Sequence, residues 1–411
     1  MTELDRHVRR NVLVLATSMA LTWSVVQLVA ALGVVTFAHL SGVPALAGVG
    51  FGAYLLAHAA GGLLIGRAMD AWGRRNGLLL AFLCGAAGAG VVYLSVAAGW
   101  LTGYVIGLVV LGLGTGGANL ARAAGADMYP PERRAWGITL ILVGAGFGAI
   151  GAPLLFAPLL AGAQAHDPVA LAAPWPIAAG TLLAAAVVLL AIRLDPREIA
   201  KRLRSLQTAA GPDEAVAARS IRELVSLPMV PLALLAAIVS QAVMTATMAL
   251  AGLLLVGHGH DLGSVSITIS AHFLGMFGLV LVVGKLVDRI GRFRAVVTGL
   301  VGLAAGVLML LPGAALLNFV PGMFLIGVGW NIAFVASSAV LADTARPAER
   351  GRLLGFSDAL STTVAAVLSI GAGLIVGIIG PSVLVVTGVL LALIPAGLIA
   401  ANRTRLEGSP A

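Results

Sequence analysis

The sequence is short of nearly everything that a water-soluble protein displays on its surface. Only 10% of its 411 residues are charged, too few to cover a water-facing surface for a chain of this size. It has one cysteine, Cys84, which excludes an intramolecular disulfide and any site built from several thiolates. Its carboxylates avoid the middle of every long apolar run, and even Asp358 lies near the end of its segment, which counts against an antiporter driven through a deeply buried acid. It shows no nucleophile paired with a base and no nucleotide-binding loop, so an enzyme is not expected.

Apolar residues are what it has in excess, 60% of the chain, with a mean hydropathy of +1.04. Twelve segments of spanning length can be marked, at 11–36, 44–67, 77–97, 100–123, 135–160, 172–194, 229–256, 264–287, 294–312, 315–342, 351–377 and 380–401, so the expected fold class is an all-α membrane protein with twelve transmembrane helices. The first segment is too long for a removable signal peptide and lacks a small-residue cleavage site. It is read as the first span.

The net charge of +8 invites a nucleic-acid reading, which the positions of the basic residues reject. With a cytoplasmic N-terminus, all 25 Lys and Arg fall at the inner ends or inner loops, from Arg6 to Arg405. That asymmetry places both termini in the cytoplasm. The outer loops hold His39, His166, Asp167, His258, His260 and Asp261 instead, a sparse set that tolerates cations.

A motif after the second segment, Gly66-Arg-Ala-Met-Asp70-Ala-Trp-Gly73-Arg74, returns after the eighth as Gly284-Lys-Leu-Val-Asp288-Arg-Ile-Gly291-Arg292, each position offset by 218. Asp127, Pro131 and Arg134 recur as Asp343, Pro347 and Arg350 at an offset of 216. Two homologous halves follow, 1–194 and 229–411, joined by a polar cytoplasmic linker at 195–228 with some helix along the inner surface. The doubled loop resembles the signature of the major facilitator superfamily. The resemblance implies two pseudo-symmetric six-helix halves, alternating access in a bacterial-type plasma membrane and a monomer, with the glycines turning the chain and Asp and Arg capping helix ends and pairing at the cytoplasmic gate. Two departures stand out. Leu108 occupies the place of the arginine common in proton-coupled members, and Gly144, Gly146, Gly148, Gly151 and Pro153 form only a loose version of the drug-antiporter glycine-proline motif.

The seventh and eighth segments carry Met244-Thr-Ala-Thr-Met248 and His272-Phe-Leu-Gly-Met276. Residues four apart stack on one helix face. Counted from outer ends near Val256 and Ser264, Met248 and His272 are eight residues deep, Met244 and Met276 twelve. At α-helical rise the deeper layer is about 18 Å from the surface. The 218 offset relates Tyr54 to His272 and His58 to Met276, making His58 a further candidate from the other half. Thioethers favour soft Cu(I) over hard ions. The two motifs resemble the CcoA-type copper importers of the superfamily, which implies copper contacts at Met244, Met248, His272 and Met276, with copper as the transported substrate and no cofactor. His258 and His260 are then expected to collect the ion outside. The alternative is a carrier of a small organic solute, such as riboflavin or another vitamin, a drug or a metabolite, in which the methionines and Trp330 form an adaptable apolar pocket. Gln241 shares the face of Met244 and Met248, and Trp330 with Asn331 is plausible cavity lining, whereas the polar patch of Thr17, Ser18, Thr22, Ser24 and Gln27 in the first segment, with Trp23 nearby, reads first as helix packing and second as ligand contact. A sensor on the same scaffold is a third class, for which no added soluble domain is seen.

Overall fold

A computed structural model describes residues 3–130, 133–208, 219–311, 315–346 and 349–401. Pro131, Pro347, Arg403 and Arg405 lie outside them. Every regular element among the described residues is helical. Helices α1 (Glu3–Ser41), α2 (Ala47–Trp72), α3 (Arg74–Ala97), α4 (Leu101–Ala118), α5 (Ala121–Asp127), α6 (Arg134–Leu160), α7 (Pro168–Ala172) and α8 (Pro174–Leu189) cover the first half. After α9 (Pro196–Thr208) and α10 (Ile221–Val225) come α11 (Val230–Gly257), α12 (Leu262–Phe273), α13 (Val280–Ile290), α14 (Arg292–Leu308), α15 (Leu316–Thr344), α16 (Arg350–Ile379) and α17 (Pro381–Ala401). Among the described residues, ten spans are long and apolar enough to cross a bilayer unbroken. An eleventh is formed if α12 and α13 are counted as one bent span, and α14, with 17 residues, supplies the remaining apolar segment.

The eighth segment departs from the sequence expectation of one continuous helix. It is α-helical to Phe273, widens into a π turn over Leu274–Gly278, and resumes as α13 after Leu279, with a 55° bend across the break. Met276 sits inside the π turn, so a depth count at α-helical rise does not apply to it.

The chain divides into two compact units, Met1–Gly42 with Ala53–Ala215, and Val43–Gly52 with Val216–Ala411. In the first, small residues let helices approach at backbone distance, as is usual where lipid supplies no hydrophobic drive. A Cβ on Gly144 or Gly148 of α6 would overlap the carbonyls of Ala16 and Ala20 in α1. Two glycines of the loose antiporter-like motif, Gly144 and Gly148, therefore serve helix packing, whereas a Cβ on Gly151 would meet nothing. In the second unit, Gly299 and Gly306 of α14 meet Ala333 and Ile326 of α15 in the same way. The first turns of α2 belong to this unit, and Gly48 lies against the Ser369 carbonyl of α16.

The signature loops fold alike. Gly73 and Gly291 take φ of +91° and +86°, a region open to glycine at no steric cost. Arg74 bridges Asp70 and Asp127 at 2.9 and 2.8 Å, and Arg292 bridges Asp288 and Asp343 at 2.9 and 3.1 Å. Gly66 and Gly284 have helical backbone, and a Cβ would meet only ordinary contact at Gly66 and open space at Gly284. Asp195, the first residue of the linker, accepts the backbone N–H groups of Arg74 and Arg75 and so caps α3. In α9, Ile199 is buried in the core of the first unit. In α10, Ser220 and Glu223 form a capping box, and Arg219 is bound to the fully buried Glu349.

Candidate functional site

In the second unit all four motif residues are buried: Met244, Met248, His272 and Met276. His272 is fixed by the close crossing of α12 and α15. Gly327 abuts the His272 carbonyl and the Met276 amide, and Gly275 abuts the Phe324 carbonyl. The His272 Nδ1 lies 3.0 Å from the Met323 carbonyl, which can only accept, so Nδ1 carries the proton. Nε2 is then a buried acceptor with no hydrogen-bond donor among the described residues. Met244 joins a different chain of contacts. The Trp330 indole N–H donates to Gln241 Oε1 at 2.8 Å, Gln241 Nε2 donates to Thr245 Oγ1 at 3.2 Å, and the Thr245 hydroxyl donates to Met244 Sδ at 3.9 Å. Trp330 is stacked on Phe334, one turn along α15. The hydrogen bonds of His272 and of Met244 thus lead to different partners.

His58 belongs to the first unit, in a chain across α1, α2 and α4. Trp23 Nε1 donates to Asn119 Oδ1 at 3.2 Å, Asn119 Nδ2 lies 2.8 Å from His58 Nε2, and His58 Nδ1 lies 3.1 Å from Thr115 Oγ1. Tyr54 OH reaches the same Thr115 oxygen at 3.0 Å. Proton counting gives the chain a direction. Thr115 has one hydroxyl hydrogen, and it points back to the Leu111 carbonyl at 3.0 Å. Both Tyr54 and His58 Nδ1 therefore donate to it, and His58 Nε2 accepts from Asn119. Both imidazole nitrogens are used by protein partners.

The outer histidines fall outside these chains. His258 is exposed, bonds the Leu254 carbonyl through Nδ1 at 2.8 Å, and borders a cavity of about 210 Å³ with Leu310, Phe319 and Ser382. His260 precedes Asp261, whose carboxylate caps α12 by accepting from Ser264 N and Oγ. A second cavity of about 230 Å³, lined mainly by apolar residues of α11, α16 and α17, includes neither Trp330 nor Gln241. Among the described residues no three His, Cys, Asp or Glu side chains converge.

Asn119 and Thr115 escaped the sequence reading. They are polar residues four apart at the end of an apolar run, a spacing too common to signal anything alone. Trp23 and Gln241 were visible individually, and their separation of 218 was the available clue that they occupy one position of the repeat.

Similarity to known proteins agrees with the repeat and the loops. The chain is 31% identical over 325 residues, 78% of its length and 75% of the relative's, to the uncharacterized transporter YdeG of Bacillus subtilis. It is 29% identical over 367 residues, 89% of this chain and 88% of the relative, to the riboflavin transporter RfnT of Brucella anthropi. In fold it is similar to the nucleoside transporter NupG, with a TM-score of 0.74 at 14% identity over 96% of this chain and 99% of that one. The xylose transporter XylE of E. coli gives 0.71 at 15% over 96% and 98%. The profile of the Major Facilitator Superfamily matches residues 12–357 and 232–409. With the doubled loop and the all-helical fold, this multi-pass membrane protein belongs to the Major Facilitator Superfamily.

Proposed function

We propose that the protein carries a small organic solute of the vitamin or metabolite kind by alternating access, the two signature loops controlling the exchange. The observation that carries this reading is the make-up of the two hydrogen-bonded chains. Both consist of neutral side chains, indoles, carboxamides, hydroxyls and an imidazole, and they supply stacking faces and oriented dipoles. Such groups recognise organic molecules. His58 has both nitrogens committed, so using it as a metal ligand would break the first chain. The riboflavin transporter RfnT, similar over most of both chains, supports an organic substrate and makes riboflavin the first to try.

Copper import is the second reading, favoured by one observation. The buried Nε2 of His272 offers a lone pair while Nδ1 is anchored to a carbonyl, the arrangement that orients metal-binding histidines. Against it, Met244 already receives the Thr245 hydroxyl.

Purified protein in liposomes separates the two. Labelled riboflavin taken up and unaffected by silver is the expected result. Absence of flavin uptake, with Cu(I) uptake that silver blocks and His272→Ala or Met276→Leu removes, would transfer the assignment to copper.

A further inference from the structure

We infer that Gln241 in the second unit is a specificity-determining residue, which reads the donor–acceptor edge of a planar heteroaromatic solute; Asn119 presents the same pattern within the first unit. The edge is one with adjacent C=O and N–H groups, as in an imide or lactam. The inference rests on the organic-solute reading above and narrows it to a substrate class.

A primary carboxamide has two N–H donors and an oxygen with two lone pairs. In Asn119 one N–H goes to His58 Nε2, and one lone pair takes the Trp23 indole N–H. In Gln241 one N–H goes to Thr245 Oγ1, and one lone pair takes the Trp330 indole N–H. Each amide is left with one donor and one acceptor. Both amides are partly exposed, whereas Thr115 and Thr245 behind them are buried.

Neither amide can turn over freely. Reversing Asn119 would set its NH2 against the indole N–H and its oxygen against the His58 lone pair. Reversing Gln241 would set NH2 against the Trp330 N–H. The free donor and acceptor are therefore fixed in direction before a ligand arrives, which lowers the ordering cost of binding. The same bonds hold each indole by its edge, so its face is held in one plane. A flat ring stacked on an indole, with its polar edge beside a carboxamide, satisfies both groups. Carboxamides read the edge of adenine by the same pairing of one donor with one acceptor.

The arrangement occurs twice. Trp23 and Gln241 are separated by 218, the offset of the repeat, so one repeat position holds the indole in α1 and the amide in α11. The partner comes in turn from the C-terminal end of α4, as Asn119, and from α15, as Trp330.

The test uses the full chain, purified in detergent, with riboflavin and 3-methylriboflavin, in which the ring N–H is replaced by N–CH3. Wild type is expected to bind riboflavin about tenfold more tightly, the usual net effect of losing one neutral hydrogen bond. Gln241→Leu should reduce the ratio by weakening riboflavin more than its methyl analogue. Gln241→Glu keeps the shape and the oxygen for Trp330 and lacks the free N–H. It keeps an acceptor for the ring N–H, so it should weaken both flavins and retain the preference, an outcome that a poorly folded variant does not give. A wild-type ratio near one, with both flavins bound, overturns the inference and leaves the organic-solute reading standing. The same holds if Gln241→Leu keeps the wild-type ratio. Binding of neither flavin overturns both.

Discussion

Glu349 has no exposure to solvent, yet it stays ionised because N–H donors converge on it. Arg219 gives its guanidinium at 2.7 to 3.2 Å and its backbone N–H at 2.8 Å, and the Arg346 backbone adds a bond at 3.1 Å. The Arg219 side chain is the main reason that its carboxyl is held at about 2, below the ordinary 4.5. A depressed acid contributes stability that is complete above the unfolded value and is lost as pH falls through the folded one. Glu349→Gln should therefore unfold at a lower temperature than wild type at pH 7, and the gap should narrow from about pH 4.5 downward and close near pH 2. Thermal unfolding in detergent across that range is the measurement. A gap independent of pH would mean that the ionised carboxylate is not its source. The sequence shows Glu349 only as a loop charge, because a pair formed across 130 residues leaves no periodic trace. Asn119 was hidden for the same reason. The four soft-metal donors were legible as a pattern, but spacing gives a shared face and not the partner each side chain chooses.

At the scale of elements, the apolar runs located the helices, although α1 begins at Glu3 and not at residue 11, and they were blind to the break in the eighth segment. Leu274–Gly278 is as apolar as its neighbours, and composition does not distinguish a π turn from an α turn. What fixes the place is the crossing with α15, where Gly275 and Gly327 admit backbone against backbone. Gly327→Val should push α15 off His272 and Met276 and destabilise the second unit by about 1–3 kcal/mol, the usual cost of overpacking. The signature glycine Gly284 makes the opposite prediction. A Cβ there meets nothing, so Gly284→Ala should leave stability unchanged or raise it by up to about 1 kcal/mol through helix propensity. Gly291→Ala, at positive φ, should cost about 1–2 kcal/mol. Thermal shifts of the three variants side by side would rank them. If Gly284→Ala proved the most damaging, the motif would be serving something other than the backbone geometry seen here.

For the molecule as a whole, the repeat was the most legible feature, because an offset of 218 survives where individual side chains have diverged. It foretold that Asp70, Arg74 and Asp127 would have counterparts in Asp288, Arg292 and Asp343, and each arginine does bridge its two aspartates. It did not foretell that the copies are unequal. Arg74 and Asp127 are 22% and 30% exposed, against 36% and 60% for Arg292 and Asp343, and only the first loop has Asp195 accepting its backbone N–H groups among the described residues. Exposed ion pairs contribute about 0–1 kcal/mol to stability and less in salt. Neither arginine should therefore matter much for folding. If the loops govern conformational exchange, Arg74→Ala should slow substrate flux more than Arg292→Ala, with binding affinity for substrate little changed in both. Uptake rates in liposomes, measured beside equilibrium binding, test this. Equal slowing would make the exposure difference irrelevant, and loss of affinity would place the loops at the substrate instead of at the exchange between its two accessible states.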